Sequence, residues 1–485
     1  MPRPTGAPAR PALPRPTWAT CPRGAVRTRP AETASTCRGR PSPRQEACPG
    51  CLFGATDPAR TRARSDRGSV VNPSHSPRGR RRPLRAAAVA ALGALALLAA
   101  CTPRPHVSTA SAVGSADPAT LVFHHPGVVV GRSQLDTVRA RVRAGQEPWS
   151  SAYEQMRTSR YGSLRYTPHP AEVVPCPPNA GPPACLAERE DAIAAYTQAL
   201  LWTVNGNEAH ARKAVEIMDG WARVVKRHTE GNADLQTAWA GSSWARAADI
   251  VHAGYPQWQA PAVQRFKWML RKAYLPAVTA KVPDYNGNWE LAMTDAAIGI
   301  AVFVEDRQVF KDALDRYRAR VPAYFYLASD GRLPKAPPGG SMNTPDQLAT
   351  YWFGQRTYAD GLGQETCRNF LHIGYSLAAS GHIAETAWQQ GVDLYGPTAG
   401  RLAAALEFHA RYQLGARVPP WLCGGKVDRT LGPDVEVLLN HLENRLHKAL
   451  PQTRRLAEQQ RPAGTDDLFV AWETLTHAQN PGAAV

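Results

Sequence analysis

The chain has 485 residues and a formal charge of +17, but the charge is not spread along it. Residues 1–100 hold 18 Lys and Arg against 4 Asp and Glu, which leaves 39 against 36 for residues 101–485. The basic excess sits in the leader, so it is no argument for a nucleic-acid-binding protein, and no nucleic-acid partner is expected.

Residues 1–85 are rich in Pro, Arg, Ser and Gly and have almost no apolar periodicity. Such a composition cannot bury enough surface to offset the entropy of ordering, so residues 1–69 are expected to be a disordered leader. An apolar run over residues 86–100 follows Arg78, Arg80, Arg81, Arg82 and Arg85. A positive region before an apolar run of about 15 residues has signal-peptide length and is too short for an ordinary membrane span. Residues 70–101 therefore read as an export signal. It ends in Leu98-Ala99-Ala100-Cys101, which resembles a bacterial lipobox with Cys101 as the lipidated mature N-terminus. An ordinary secretory signal that happens to end at a cysteine is the alternative. Because residues 1–69 lie upstream of a complete signal, the true start is expected near Val70 or Val71. The expected location is extracytoplasmic, with membrane contact only through an N-terminal lipid anchor. Residues 102–120 read as a Pro/Ser/Ala tether, and residues 121–485 as the folded domain.

Of the nine cysteines, Cys21, Cys37, Cys48 and Cys51 fall in the leader, and Cys101 is the lipidation candidate. Cys176 and Cys185 flank a Pro/Gly-rich loop, and an exported protein is expected to bridge them. Cys367 and Cys423 are the other available pair. Cys48-Pro49-Gly50-Cys51 is half of a zinc pattern with no second half, so no metal site is expected.

After an apolar segment at 121–130, two short amphipathic helices are expected over 134–144 and 148–159, then a loop over 160–184. Helical periodicity follows over 188–204, 208–227, 235–253, 263–274, 290–304 and 306–320. Residues 321–356 read as an irregular segment, long enough for a lid or cleft wall. A helical region over 357–391 comes next, as one helix or two joined at Gly381. Further helices are expected over 398–414, 435–450 and 466–477. Paired helices with short turns and no repeat of fixed period predict an all-α fold: an open superhelix, or an α/α toroid of inner and outer helices.

The chain has no Gly-rich phosphate loop, no His-Glu-x-x-His and no Gly-x-Ser-x-Gly, and no cofactor is implied. It offers Asn, His, Tyr, Arg and Trp near helix ends instead. Arg368, His372 and Tyr375 sit at i, i+4 and i+7, which would put a cation, an imidazole and a phenol on one helical face. A second polar knot, Asp284-Tyr285-Asn286-Gly287-Asn288-Trp289, opens another helix. These residue types suit β-elimination of a uronate polymer. The sugar carboxylate must be neutralised as enolate-like charge builds, a base must take the C5 proton, and an acid must protonate the leaving oxygen. Trp239, Trp244 and Trp289 could stack on sugar rings. Asn440, His441 and Arg445 lie on a polar stripe, with Glu436 and Asn444, that could wall the cleft. The alternatives are a core tyrosine, a structural Arg–Glu pair and an Asn helix cap.

The sequence resembles the alginate lyase family of polysaccharide lyases over most of residues 120–450. The resemblance rests on Phe123-His124-His125-Pro126-Gly127, on Leu235-Gln236-Thr237-Ala238-Trp239 with Trp244-Ala245-Arg246-Ala247-Ala248, on Asn286-Gly287-Asn288-Trp289, and on Glu365-Thr366-Cys367-Arg368 through His372 to Tyr375. It implies an α/α toroid, or incomplete helical barrel, and β-elimination without a required metal. It also implies carboxylate neutralisation by Asn or an Asn-His pair, an Arg, and a Tyr seven residues after that Arg. Arg368 and Tyr375 have that spacing. The family's Asn-Asn-His-Gly pattern stands here as Asp284-Tyr285-Asn286-Gly287.

The expectation is an exported lyase acting on an acidic polysaccharide, alginate or glucuronan-like. Tyr375 would be the acid and potentially the base, and His372 the alternative base. Asn286, Asn288 and Arg368 would meet the carboxylate, with Trp239, Trp244, Arg246, Trp289, Asn440, His441 and Arg445 binding substrate. The alternatives are a non-catalytic glycan-binding lipoprotein and a glycoside hydrolase on the same toroid. A hydrolase would need two opposed carboxylates, drawn from Asp295, Asp330, Asp360 or Glu365.

Overall fold

A computed structural model describes residues 120–178, 183–282, 287–340 and 342–482. The leader, the export signal, Cys101 and Asn286 lie outside the described residues.

The helices in chain order are α1 (Arg132–Arg143), α2 (Trp149–Thr158), α3 (Pro183–Asn205), α4 (Glu208–Val224), α5 (Ala233–Gly254), α6 (Ala260–Met269), α7 (Leu275–Val278), α8 (Gly287–Val304), α9 (Arg307–Tyr324), α10 (Pro345–Tyr351), α11 (Phe370–Gln389), α12 (Tyr395–Gln413), α13 (Glu436–Asn440), α14 (Pro451–Gln460) and α15 (Glu473–His477). Successive hairpins pair an inner helix with an outer one: α3 with α4, α5 with α7, and α8 with α9, while α6 packs on α4. The inner helices pack side by side as α3–α5–α8–α11–α13. Then α13 meets α15, α15 meets α1, and α1 returns to α3, closing the ring with short pieces. This is the expected all-α toroid.

The two layers differ in sequence for a physical reason. An outer helix has one wet face, and α4 buries Ala211, Ala214, Ile217, Met218 and Trp221 on the other. An inner helix is covered on every side, so α3 is buried without a break from Asp191 to Leu201. Close packing inside demands small residues. A Cβ on Gly299 of α8 would sit 3.2 Å from the Ala245 Cβ of α5 and 3.1 Å from Val128.

The segment before α1 seals one side. The backbone amides of Gly127 and Val128 both donate to Asp249 Oδ2, at 2.6 and 3.0 Å, while His125 Nδ1 lies 2.5 Å from Oδ1. A parallel pair of short strands, β1 (Val173–Pro175) and β2 (Arg227–Thr229), joins the loop before α3 to the end of α4. Disulfides link Cys176 to Cys185 and Cys367 to Cys423. Among the described residues no helix is long and apolar enough to cross a membrane.

Three expected helices are shorter than their periodicity suggests. The 357–391 region becomes helical only at Phe370, because Asn369 turns its side-chain oxygen onto the amide of His372 and caps α11 there. It then runs through Gly381 unbroken. The 435–450 region closes after α13 with one π-turn over His441–Arg445. In the 466–477 region, Asp466 Oδ1 gathers the amides of Leu468, Phe469 and Val470 into a turn, and α15 starts only at Glu473.

Two buried charge clusters tie the ring together. In the first, Arg246 of α5 donates to Asp295 of α8 at 2.9 Å, and to the carbonyl of Phe469 at 2.7 Å. His382 of α11 lies 3.0 Å from Asp295 and 2.5 Å from Glu473 of α15. Burial and Arg246 pull the His382 pKa down, but Asp295 and Glu473 together hold it above the ordinary imidazole value. In the second cluster, Arg445 grips both oxygens of Glu385 at 2.7 and 2.8 Å, with Gln134, Gln389 and Tyr395 on the same carboxylate.

Removing one member of such a buried set leaves an uncompensated charge, at a cost of about 3–5 kcal/mol. Asp295→Asn is therefore expected to lower the calorimetric melting temperature sharply, and an unchanged melting temperature would refute the arrangement. A pKa raised on folding stabilises below the unfolded value, and the gain disappears as pH rises through the folded one. The destabilisation by His382→Gln should thus be largest below about pH 6.5 and shrink at alkaline pH.

Candidate functional site

The start of α8 and the segment leading into α11 meet at one carboxylate. Glu365, almost fully buried, accepts from Asn288 Nδ2 at 2.5 Å and from the Tyr324 hydroxyl at 2.7 Å on Oε2. Its other oxygen accepts from Arg368 Nη1 at 2.7 Å. Arg368 precedes the capping residue of α11, so it stands beside the helix rather than on it. Its side chain is 42% exposed, and only one of its nitrogens is spent on Glu365. Asn288 is buried and turns its amide to Glu365. It positions Glu365, which in turn positions Arg368.

His372 and Tyr375 follow on the first turns of α11, their rings 5.8 Å apart. Asn369 Oδ1 accepts from the His372 backbone amide at 3.1 Å and lies 2.6 Å from His372 Nδ1. An oxygen that already accepts a hydrogen can only accept from the ring as well, so Nδ1 carries the proton. Nε2 keeps its lone pair and has no hydrogen-bond partner among the described residues. Burial, then the Arg368 cation, lowers the His372 pKa below the ordinary imidazole value, with Glu365 opposing. At neutral pH this side chain is a neutral base.

Tyr375 is shifted the other way. Its half-buried ring packs against Trp239 at 6.4 Å and Phe469 at 6.0 Å. Burial raises the phenol well above its ordinary range, Asp466 and Asp434 raise it further, and Arg189 pulls it back. Asp434 is itself pushed up by burial and by Asp466 and Glu473. Asp466 is pushed up by burial to about 6, against the three amides that favour its charged form. At neutral pH Tyr375 holds its proton, which suits a donor. Its phenolate would face the charge of Asp466.

Arg189 of α3 was not singled out from the sequence. Its guanidinium carbon lies 5.4 Å from the centre of the Trp239 ring, within range of a cation–π contact. It makes no hydrogen bond or ion pair with any described residue, and its buried Nε is unpartnered. Burial lowers its pKa, against Asp466, Glu188, Glu190 and Tyr375. A half-buried cation with no acceptor, beside a phenol, is ready for an anion. Position 189 falls early in a long helical run, where an Arg reads as a solvated residue, and no spacing marks it. Glu365 was read only as a possible ion-pair partner or hydrolase carboxylate.

Several expected contacts lie elsewhere. Trp244 is wholly buried, its indole nitrogen donating to Tyr274 at 3.1 Å, so the ring has no face for a sugar. Arg246 belongs to the Asp295 cluster inside the ring. Asn440 is buried against the carbonyl of Asn480, His441 stacks on Tyr395 at 3.4 Å, and Arg445 is committed to Glu385. His441 and Arg445 thus face the core, while Glu436, Asn440 and Asn444 line a small cleft that contains none of Arg368, His372 or Tyr375. Trp289 is half-buried at the start of α8, and Asn286 is outside the described residues. The carboxylates for a hydrolase pair are engaged: Asp295 by Arg246, Asp330 by Arg401, and Glu365 as above. Asp360 accepts from the amide of Ala328.

Comparisons with known proteins agree with this architecture. A family model described as "Alginate lyase" matches residues 180–336. Alginate lyase A1-III from Sphingomonas species A1 superimposes with a TM-score of 0.53 at 17% identity, covering 74% of this chain and 98% of that one. A His-to-Ala variant of alginate lyase A1-III complexed with tetrasaccharide gives 0.52 at 17% identity, over 74% and 97%. A search of curated proteins by sequence found no match. The alginate lyase pattern thus lies on α3 to α9, and the helical toroid that carries it is the fold of these solved alginate lyases.

Proposed function

We propose that the enzyme cleaves a uronate polymer, alginate or glucuronan-like, by β-elimination, and leaves an unsaturated uronate end. The observation that carries this reading is two neighbouring rings, 5.8 Å apart, in complementary protonation states. His372 is held as a neutral base with a free Nε2, while Tyr375, two rings away from Arg189, is held as an acid. Division of base and acid between adjacent side chains is what removal of a C5 proton and departure of the glycosidic oxygen require.

In this reading Arg368, steadied by Glu365, and Arg189, free of other partners, meet the sugar carboxylate. Two cations there stabilise the charge that develops as the C5 proton leaves. His372 Nε2 accepts that proton. The electron pair of the C5–H bond forms the C4–C5 double bond, the C4–O bond breaks, and the Tyr375 hydroxyl protonates the leaving oxygen. Trp239, between Arg189 and Tyr375, offers the ring face nearest the reacting sugar. Export and lipidation at Cys101 remain part of the proposal on the grounds of the leader sequence alone.

Tyr375→Phe is expected to lower the release of unsaturated ends by at least about 100-fold while the melting temperature holds. Near-normal turnover would remove Tyr375 from the mechanism. The panel to use is alginate, polymannuronate, polyguluronate and glucuronan, followed by the ultraviolet absorbance of the unsaturated product.

Arg189→Ala should cost roughly 10²-fold in kcat, with Arg189→Lys recovering part of it. Equal activity in all three proteins would show that the cation is a bystander. The His372 imidazole should titrate below about pH 6.5 by NMR and move upward in Arg368→Gln, since the cation that depresses it is gone. A downward or absent shift would contradict the electrostatics described.

A further inference from the structure

A second cleft, of about 340 Å³, opens beside the catalytic segment. Its walls are two loops, 353–357 and 421–426, and its lining includes Phe353, Gln355, Arg356, Cys367, Trp421 and Lys426. Cys367 ties the cleft to the segment that carries Arg368, the next residue, one Cα step of about 3.8 Å along the chain.

The two loops are braced. Gln355 is buried, and its Nε2 donates to the carbonyl of Trp421 at 2.9 Å while its Oε1 accepts from the amide of Cys423 at 3.0 Å. The Cys367–Cys423 disulfide ties the second loop to the catalytic segment. On this fixed frame the aromatic side chains point outward. Phe353 is 46% exposed and Trp421 38%. Phe353 also has a left-handed backbone, φ 55°, which is costly for a non-glycine residue and persists where the surroundings over-determine it. Exposed aromatic rings on a rigid, strained backbone are costly for folding and useful for binding.

The charges beside them are positive. Lys426 is exposed and has no hydrogen bond or ion pair among the described residues. Arg356 has only a surface pair with Asp346, 2.9 Å away, which is worth little in water. Flat apolar faces flanked by cations match a chain of pyranose rings that each carry a carboxylate.

We propose that this cleft is a further subsite for the uronate polymer, which holds acidic sugar units beyond the bond cleaved at Tyr375. The inference rests on the uronate-lyase reading for the identity of its occupant. Trp421 and Phe353 stack on the sugar rings, and Lys426 and Arg356 pair with their carboxylates. The disulfide and Gln355 keep the subsite in register with Arg368, so that binding there places the next linkage at the reaction centre.

The test compares wild type, Trp421→Ala and Lys426→Glu on whichever polymer of the panel is cleaved, and on the trisaccharide of the same composition. The ratio of kcat/KM for the polymer to that for the trisaccharide should fall by about fivefold in each variant, a change of about 1 kcal/mol. A ratio within twofold of wild type in both variants would overturn the subsite. Affinity electrophoresis through gels containing alginate or glucuronan reads the same surface without chemistry. Reduced retardation of both variants supports the subsite, and retardation equal to wild type overturns it. Absence of unsaturated product from the wild type on every polymer would instead defeat the lyase reading, whatever the gels show.

Discussion

The ring is held shut from within by charge. Arg246, Asp295, His382 and Glu473 come from α5, α8, α11 and α15, and they meet where no water can screen them. Each cation there depends on a carboxylate from another helix, so no inner helix can slide without exposing an unpaired charge. Apolar packing alone would tolerate many relative positions of Ala-rich helices. The charged set tolerates few, and it thereby fixes the starts of α8 and α11 against each other. The Glu385–Arg445 cluster does the same between α11 and the chain end.

Fixing α8 against α11 has a direct consequence for the site. Asn288 opens α8, Glu365 and Arg368 lead into α11, and the three reach one another only because the helices are in register. Glu365 then has two effects that oppose each other. It aims the guanidinium of Arg368, and it cancels part of its charge. A second cation without a partner is therefore physically useful, and Arg189 of α3 supplies one from across the ring. Burial of Tyr375, with Asp466 and Asp434 adding to it, completes the balance by keeping the phenol protonated.

The fold was legible because its long helices are strongly periodic and its two layers have different compositions. The amphipathic face of α4 and the mostly apolar buried run of α3 follow from position in the ring, and both are visible in sequence. The nearness of Asn288 to the segment with Arg368, His372 and Tyr375 was also legible, but the spacing put Arg368 on the helical face, which the Asn369 cap denies it. What sequence could not show is direction. Trp244 and Trp239 sit five residues apart on the same helix, yet one is core and the other borders the site. Arg246 and Arg189 are both helical arginines, and only the positions of distant carboxylates decide which is structural. The stripe with Asn440, His441 and Arg445 misled for the same reason, since its cover comes from residues 479–482, which sequence distance hides.

Two ways of holding a functional side chain coexist in this enzyme. His372 and Tyr375 ride on a long helix anchored by buried charge, which suits groups whose protonation must be controlled by a dry, fixed surrounding. Arg368 and the aromatic side chains of the neighbouring cleft sit on irregular backbone, where helix packing gives no support. There the chain uses local braces: the Cys367–Cys423 bond, the buried amide of Gln355, and glycines at 424 and 425 with φ of 66° and 83° that let the 421–426 loop fold back tightly. An exposed tryptophan on an unbraced loop would collapse onto the surface to hide its ring. Bracing the backbone prevents that collapse, so the apolar face stays open to solvent.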